Sequence, residues 1–543
     1  MSTNISKAKR EELLKQVAEI RNKLMEHQDE NTNQLLVYLS NIEKDINGKK
    51  YGLVFEEHRE AVDELLENNV PVLIEDESLK IDNGGQQNFL IEGDNLASLK
   101  LLEKTHKGAI DLIYIDPPYN TGNKDFVYDD AFVGEDDKFN HSKWLSFMKN
   151  RLKIAHFLMS NKGLVFISID DNEWADLKLL CDSIFNEKNY ITTFVRKTKS
   201  MTGDDGNGLN IQHEYLLCYA RDKQVAKFKG YEKAFEEYSN PDNDPNGIWC
   251  SGDPSAKSGG PSTYFPIVNP INGHVDYPPK GRYWAFSKET LELYIKEGRI
   301  KFKVSCKNNQ RGFIFKRYAE RMENKNNPVD TLHFADNSYM NSVATTELKN
   351  LFETQKFNYP KPVDFIKDII RFAARKNGIV LDFFAGSGTT GHAVMKLNAE
   401  DDGKRKFILC TNNENNICRD VTYERIKRVI AKEDYKASLK YYKVDFVPIT
   451  EQVYYEYADK LLLHIKELVE LENGFDFDGN KKVAICLTDE DLQEFVISLG
   501  DSTTYTAVYV GHDVFVTPEI ESKLNCLGIK INIIPDYYYG ELR

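Results

Sequence analysis

An α/β fold built on a mostly parallel, doubly wound sheet follows from three features of the chain. Strand-like and helix-like runs alternate from residue 88 to 220 and again from 363 to 411. Two of the strands empty into unusual clusters, Asp116-Pro117-Pro118-Tyr119 and Phe384-Ala385-Gly386-Ser387-Gly388-Thr389-Thr390. Between the two stretches lies an insert rich in Gly, Pro, Asn and aromatic residues. Alternating units of this kind align their strands in parallel and gather ligands at the carboxyl ends. Both stretches therefore belong to one sheet that the insert interrupts.

Residues 1–75 read as an N-terminal helical region. Leu13, Val17, Ile20 and Leu24 recur at spacings of four, three and four, a seam of about two heptads that suits self-association or packing onto the body. A second helix covers 34–44. The first half of the sheet occupies 76–221, with strands at 89–94, 111–115, 163–169, 190–196 and 213–220 and helices at 95–105, 143–159 and 174–185. A loop rich in Gly, Asp and Asn, 201–210, joins the last two strands and reads as mobile. The insert spans 222–344. The second half, 345–445, holds a helix at 363–374, a strand at 379–382, a helix at 391–397 and a strand at 406–411. Residues 446–543 restart as a small βαβαβ unit whose second helix opens at Thr517-Pro518, with proline at the first helical position. It carries no chemical motif and reads as a docking module.

Composition narrows the class. The chain has 543 residues, 41% hydrophobic and 29% charged, enough for several structural units. The first 25 residues lack an apolar core segment, and no run approaches the ~18 apolar residues of a membrane span, so a cytoplasmic protein without a membrane is expected. Eight cysteines without a Cys-x-x-Cys pair point to reduced thiols and no metal site. Net charge is -14, yet residues 280–325 contain 13 Lys or Arg against 5 Asp or Glu. Trp284, Phe286, Phe302, Phe313, Phe315 and Tyr318 are interleaved with those cations. A patch of this kind suits the phosphate backbone and bases of nucleic acid, with Lys280, Arg282, Lys301, Lys303, Arg311, Lys316 and Arg317 as candidate contacts.

An Asp-Pro-Pro-Tyr tetrapeptide alone could be a turn. Its residues also meet a specific need. The lone pair of an aromatic amine is delocalised into its ring, and a carboxylate with a neighbouring carbonyl can draw both N–H bonds out of that plane. Pro117 stiffens the carbonyl, and Tyr119 offers a face for an extruded base. Gly386 and Gly388 permit close backbone approach of a nucleotide-like ligand. A Walker loop is excluded, because Gly-Lys-Ser/Thr is missing. A Gly-x-Gly-x-x-Gly ending at Gly391 keeps a dinucleotide open on this motif alone. His213 and Glu214 open a strand and read as structural, since nothing nearby completes a metal site.

Taken together, these motifs resemble the beta-class amino-methyltransferases of DNA, in which the catalytic motif precedes the recognition insert and the cofactor loop. The likeness runs over most of residues 51–445. Within that class the chain is most similar to the modification (Mod) subunit of Type III restriction-modification systems. The supporting stretches are 51–56, 91–96, the extended motif 116–123, and 282–288, 412–418 and 421–426. The resemblance implies a Rossmann-like S-adenosylmethionine-dependent methyltransferase with circularly permuted motif order. It divides 76–221 as the catalytic half, 222–344 as the target-recognition domain and 345–445 as the cofactor half. Asp116, Pro117, Pro118 and Tyr119 become catalytic residues. Asp94 should meet the cofactor's adenine and Lys361, in the segment 357–362, its carboxylate. Asp382, Phe384, Ala385, Gly386 and Gly388 should line the pocket, Thr389 should reach the cofactor's carboxylate end, and Glu414 should reach the ribose.

The implied activity is methylation of adenine N6 in double-stranded DNA. A homodimer able to recruit a separate ATPase and nuclease subunit is the implied assembly. Alternatives are cytosine-N4 methylation, which uses nearly the same amine chemistry, and a specificity subunit that no longer turns over.

Overall fold

The computed structural model describes residues 5–26, 32–47, 53, 55–122, 127–128, 131–132, 137, 139–201, 208–307, 310–322, 326–354, 356–449, 461, 464–478, 480, 482–500 and 503–535. Most of the loop expected to be mobile, 201–210, lies outside them. The described residues form two compact units, one made of 1–227 with 330–543 and the other of 228–329.

In the first unit, the large sheet has nine strands among the described residues. In chain order they are β1 (Asn69–Glu75), β2 (Gln86–Glu92), β3 (Ile110–Ile115), β4 (Met159–Ile169), β5 (Tyr190–Lys197), β6 (His213–Ala220), β7 (Ile379–Asp382), β8 (Lys406–Thr411) and β9 (Ala437–Pro448). Across the sheet they run β1-β9-β2-β8-β7-β3-β4-β6-β5. The six from β9 to β4 are mutually parallel. β1 pairs antiparallel with β9, and β6 antiparallel with β4 and β5. This is a Rossmann-like α/β sheet, and the two sequence halves do rejoin in it.

The central strands are apolar throughout because parallel strands are covered on both faces. All six residues of β3 are buried. Alternate residues serve opposite faces: Ile113, Ile115, Leu381 and Ile408 join the core with the helices Asn95–Thr105 and Asn140–Leu158. Tyr114, facing the other way, lies edge-on to Phe365 of the helix Val363–Ala373, with ring centroids 6.2 Å apart. β1 and β9 were not expected from the sequence. Their antiparallel pairing is completed by Lys440, fully buried and bonded to Glu75 and Glu470 at 2.8 and 2.6 Å.

At the N-terminus the helices Ile5–Glu26 and Thr32–Asn47 are joined by an Arg21–Glu43 ion pair at 2.8 Å. The seam is divided, with Val17 buried and Ile20 exposed. A three-stranded parallel sheet, Val483–Cys486, Ala507–Val510 and Lys530–Ile533, builds the C-terminal part. Its helix Pro518–Cys526 is capped by Thr517, whose hydroxyl accepts from the Ile520 amide. No helix among the described residues is long and apolar enough to cross a membrane.

The second unit, 228–329, is narrower than the expected insert. Thr331 already belongs with the large sheet, accepting a hydrogen bond from the Val195 amide of β5 at 3.0 Å.

Candidate active site

The chain leaves β3 toward β4 on one side and leaves β7 toward β8 on the other, although β3 and β7 are neighbours. Diverging connections open a crevice at the carboxyl ends of such a pair, where open α/β sheets bind ligands. Pairing of Val380 with Leu112 and of Leu381 with Ile113 brings Asp116-Pro117-Pro118-Tyr119 and the glycine turn to the same end.

Asp116 is held on three contacts. Lys361 Nζ donates to Oδ1 and Oδ2, both at 2.7 Å, and the Tyr119 hydroxyl donates to Oδ1 at 2.9 Å. A carboxylate offers about four acceptor sites, so Oδ2 keeps one open. The Trp144 indole donates to the Pro118 carbonyl at 2.7 Å, while the Pro117 carbonyl has no donor among the described residues. Burial, reinforced by the Asp116 charge, raises the Tyr119 phenol well above its usual range and keeps it protonated. Its ring lies on the Lys361 ammonium side, with Nζ 5.2 Å from the ring centroid.

Lys361 was expected at a ligand carboxylate and instead faces Asp116, 245 residues away in sequence. Behind it stands Glu214, whose Oε1 is 3.7 Å from Nζ and accepts from Arg196 Nε at 2.8 Å. Arg196 is fully buried and also donates to the Tyr339 carbonyl and Asn341 Oδ1, both at 2.5 Å. Burial alone would push the Glu214 carboxyl up; Arg196 and Lys361 together hold it below its ordinary value. Glu214 is thus a support of the site, where the sequence offered only a strand-opening pair. An acid at the head of a continuous apolar run, 215–220, was its sole sequence signal.

The glycine turn is shaped by positive φ at Gly386 (45°) and Gly388 (74°). A Cβ at Gly386 would lie 3.1 Å from Phe357 Cζ, and one at Gly388 3.2 Å from the Thr422 carbonyl oxygen. Ala385 is buried, its amide donating to the Cys410 carbonyl at 3.2 Å. Phe384 is half-buried against Phe147, centroids 5.8 Å apart. Thr389 is buried and accepts from Arg425 Nη1 at 2.6 Å. Arg425 also reaches the Ser387 hydroxyl at 3.2 Å and, being fully buried, has its guanidinium lowered to about 10. Nothing in the local sequence signals this brace.

Asp382 closes β7 and accepts from the Phe384 amide at 3.0 Å and the Thr390 hydroxyl at 2.5 Å. Burial raises its carboxyl from 3.8 to about 7. The folded protein therefore binds a proton that the unfolded chain releases between these values, so this group's contribution to stability falls as pH rises from about 4 to 7. Asp382→Asn is expected to flatten that decline, as thermal midpoints recorded from pH 4.5 to 8 would reveal; an unchanged slope would refute the assignment.

Asp94 and Glu414 make no hydrogen bond or ion pair to this cluster among the described residues, while Asn95, next to Asp94, donates to the Phe383 carbonyl at 3.1 Å. Asp94 caps the helix Asn95–Thr105, accepting from Leu96 and Ala97 amides at 2.7 and 3.2 Å, and lies 3.5 Å from Arg151. Glu414 is exposed at the start of a short turn beyond β8. At the tip of β2, Glu92 accepts from Arg419 Nε at 2.9 Å and from the Tyr441 hydroxyl.

In the second unit, the expected aromatic contacts form an internal core instead. Trp284, Phe286, Phe313 and Phe315 are buried together, Phe302 packs against them, and Tyr318 is buried with its hydroxyl on Asp244. Their apolar area is worth more inside a small unit than on its surface. Several cations are also paired. Lys316 is buried and bonded to Asp242 at 2.6 Å and to Asp244, and Lys301 reaches Asp242 at 2.5 Å. Arg282 and Arg311 lie 2.9 and 3.8 Å from Asp253. Lys280, Lys303 and Arg317 have no ion pair among the described residues.

Residues 110–423 match the family model described as DNA methylase, N6_N4_Mtase. The chain is 36% identical over 408 residues to the Type III restriction-modification enzyme StyLTI Mod subunit of Salmonella typhimurium, covering 67% of this chain and 61% of that one. It is 33% identical over 391 residues to the EcoPI Mod subunit of Escherichia phage P1, covering 61% and 58%. Identity to the Type II methyltransferase M.KpnI of Klebsiella pneumoniae is 36% over 353 residues, covering 59% and 79%. The chain thus spans about three fifths of the length of the two Mod subunits. With the family model covering more than half of its length and the crevice built as described, the chain belongs to the DNA methylase family.

Proposed function

We propose that this protein is a site-specific methyltransferase that places the methyl group of S-adenosylmethionine on N6 of an adenine rotated out of double-stranded DNA. The supporting observation is the meeting, at the tips of β3 and β7, of a carboxylate and an unbonded prolyl carbonyl with a glycine turn. The open site on Asp116 Oδ2 takes one amine N–H and the Pro117 carbonyl the other, which frees the nitrogen lone pair from the ring. Tyr119 presents its ring to the base, and its protonated hydroxyl keeps Asp116 oriented. Positive charge grows on the nitrogen during transfer, and Asp116 offsets it.

The turn fits the cofactor. Phe357 and Phe384 supply rings beside the turn, and Gly386 and Gly388 hold positive φ where a Cβ would crowd Phe357 or Thr422. Asp382, Ala385 and Thr389, braced by Arg425, hold the turn's shape, while Asp94 and Glu414 stand at neighbouring strand tips. When bound, S-adenosylmethionine supplies an electrophilic methyl group on a sulfonium. Lys361 neutralises Asp116 and orients it, and so is reassigned from the cofactor's carboxylate.

By likeness to the Mod relatives, the chain acts as a modification subunit, working as a homodimer with a separate restriction subunit. The insert grips DNA through Lys280, Lys303 and Arg317. Replacing all three by Ala should weaken DNA binding and reduce the salt slope of log K by roughly 0.9 for each phosphate left without its cation. Fluorescence anisotropy between 50 and 200 mM salt would measure it, and an unchanged slope would place the DNA elsewhere. The reaction itself is tested by incubating the protein with labelled donor and DNA, then digesting to nucleosides. N6-methyldeoxyadenosine is expected; N4-methyldeoxycytidine would move the target to cytosine, and no labelled base would sink the proposal.

A further inference from the structure

Beside the segment that follows the tetrapeptide, three side chains converge that the proposed chemistry leaves unused. His141 stands in the first turn of the helix Asn140–Leu158. Glu173 precedes the helix Trp174–Cys181 without a side-chain bond to its amides, and Asp176 lies in that helix's first turn. One donor atom from each lies within 4.8 Å of the other two. His141 Nδ1 is 2.7 Å from Glu173 Oε1 and 3.8 Å from Asp176 Oδ2.

The state of Glu173 singles this group out from an ordinary acidic surface. Its side chain has no solvent exposure, and its second oxygen, Oε2, is buried without a hydrogen-bond partner. A carboxylate oxygen buried in this way is costly to leave unsatisfied, and a bound cation is one partner that would satisfy it. Exposed His141 leaves a path for an ion from solvent.

We propose that His141, Glu173 and Asp176 bind a divalent transition-metal ion of the Zn²⁺ or Mn²⁺ class. Imidazole with two carboxylates selects such ions over Mg²⁺ or Ca²⁺, which prefer oxygen alone. Two carboxylates balance the ion's charge, and His141 Nδ1 lies close enough to both for one ion to bridge them at bonds of ~2.0–2.2 Å. The ion takes the place of the hydrogen bond between His141 Nδ1 and Glu173 Oε1. Water completes the coordination on the exposed side.

The site is coupled to the catalytic loop through one hydrogen bond. Glu173 Oε1 also accepts from Asn120 Nδ2 at 2.5 Å, and Asn120, next to Tyr119, holds a left-handed φ of 57°. A metal that clamps Glu173 therefore fixes the residue that follows the tetrapeptide. Thirty-two residues separate His141 from Glu173, a spacing that matches no metal motif.

The test is calorimetric titration of the chelator-stripped full chain with ZnCl2 and, separately, MnCl2, without DNA or methyl donor. One site is expected with at least one of the ions. His141→Ala and Asp176→Asn, both at positions that reach solvent, should each weaken it at least tenfold, with circular dichroism verifying the fold. Absence of uptake by the unaltered protein, or affinity unchanged in both variants, would overturn the proposal. The readout involves no catalysis, so failure here leaves the methyltransferase reading standing, and failure of that reading leaves this one standing.

Discussion

Asp116→Ala is expected to lower the proposed methyl-transfer rate by at least about 10³-fold while leaving cofactor binding in place. Removing one preorganised group that meets developing charge costs about 2.7–4 kcal/mol, or 10²–10³ in rate. Here the loss is larger, because the substitution also strands Lys361. Its ammonium, 2.7 Å from both Asp116 oxygens and only 8% exposed, would then face a nitrogen that is itself gaining positive charge. Asp116→Asn keeps an acceptor oxygen without the charge and should fall between the two. Adding Lys361→Met to Asp116→Ala should recover part of the rate by removing the stranded cation. Tritiated methyl incorporation into DNA measures all three, and calorimetry of S-adenosylmethionine checks that the pocket survives. A rate for Asp116→Ala within tenfold of the unaltered enzyme would show that another group carries the role.

Arg196→Met is expected to destabilise the protein by about 3–5 kcal/mol, the cost of leaving one member of a buried ion pair alone. Arg196 is fully enclosed and satisfies three acceptors, from Glu214, Tyr339 and Asn341. The stranded Glu214 carboxylate would compete with Asp116 for Lys361, so methyl transfer should fall by more than the folded fraction does. The double variant Arg196→Met with Glu214→Leu removes both charges and should regain much of the lost stability. Thermal unfolding reads the first effect and methyl incorporation at a temperature where both variants are folded reads the second. A single-variant midpoint within about 1 °C of the unaltered protein would mean that the pair contributes little.

Much of the sheet was legible because its signals are local. Apolar runs such as 110–115 and 379–382 announce covered parallel strands, and Gly386 and Gly388 announce a turn that needs positive φ. β1 and β9 were not legible. In β9 a lysine stands at a position buried by the fold, and only Glu75, Glu470 and Asp476, distant in sequence, make that position tolerable. The insert misled in a related way. Aromatics interleaved with cations look the same whether they face a ligand or one another, and burial alone decided that most of them form a core. Likewise, Asp242 and Asp253 lie outside the basic stretch that they neutralise.

From the sequence alone came the order of the halves, the strand tips and the residue types placed on them, since backbone preference and apolar periodicity are properties of short segments. Tertiary structure decided which charge meets which. Lys361 went to Asp116, Arg425 to the glycine turn and Glu214 to Arg196, because the strength of such a pair depends on distance and on exclusion of water. Neither quantity exists until segments far apart in the chain are folded against each other.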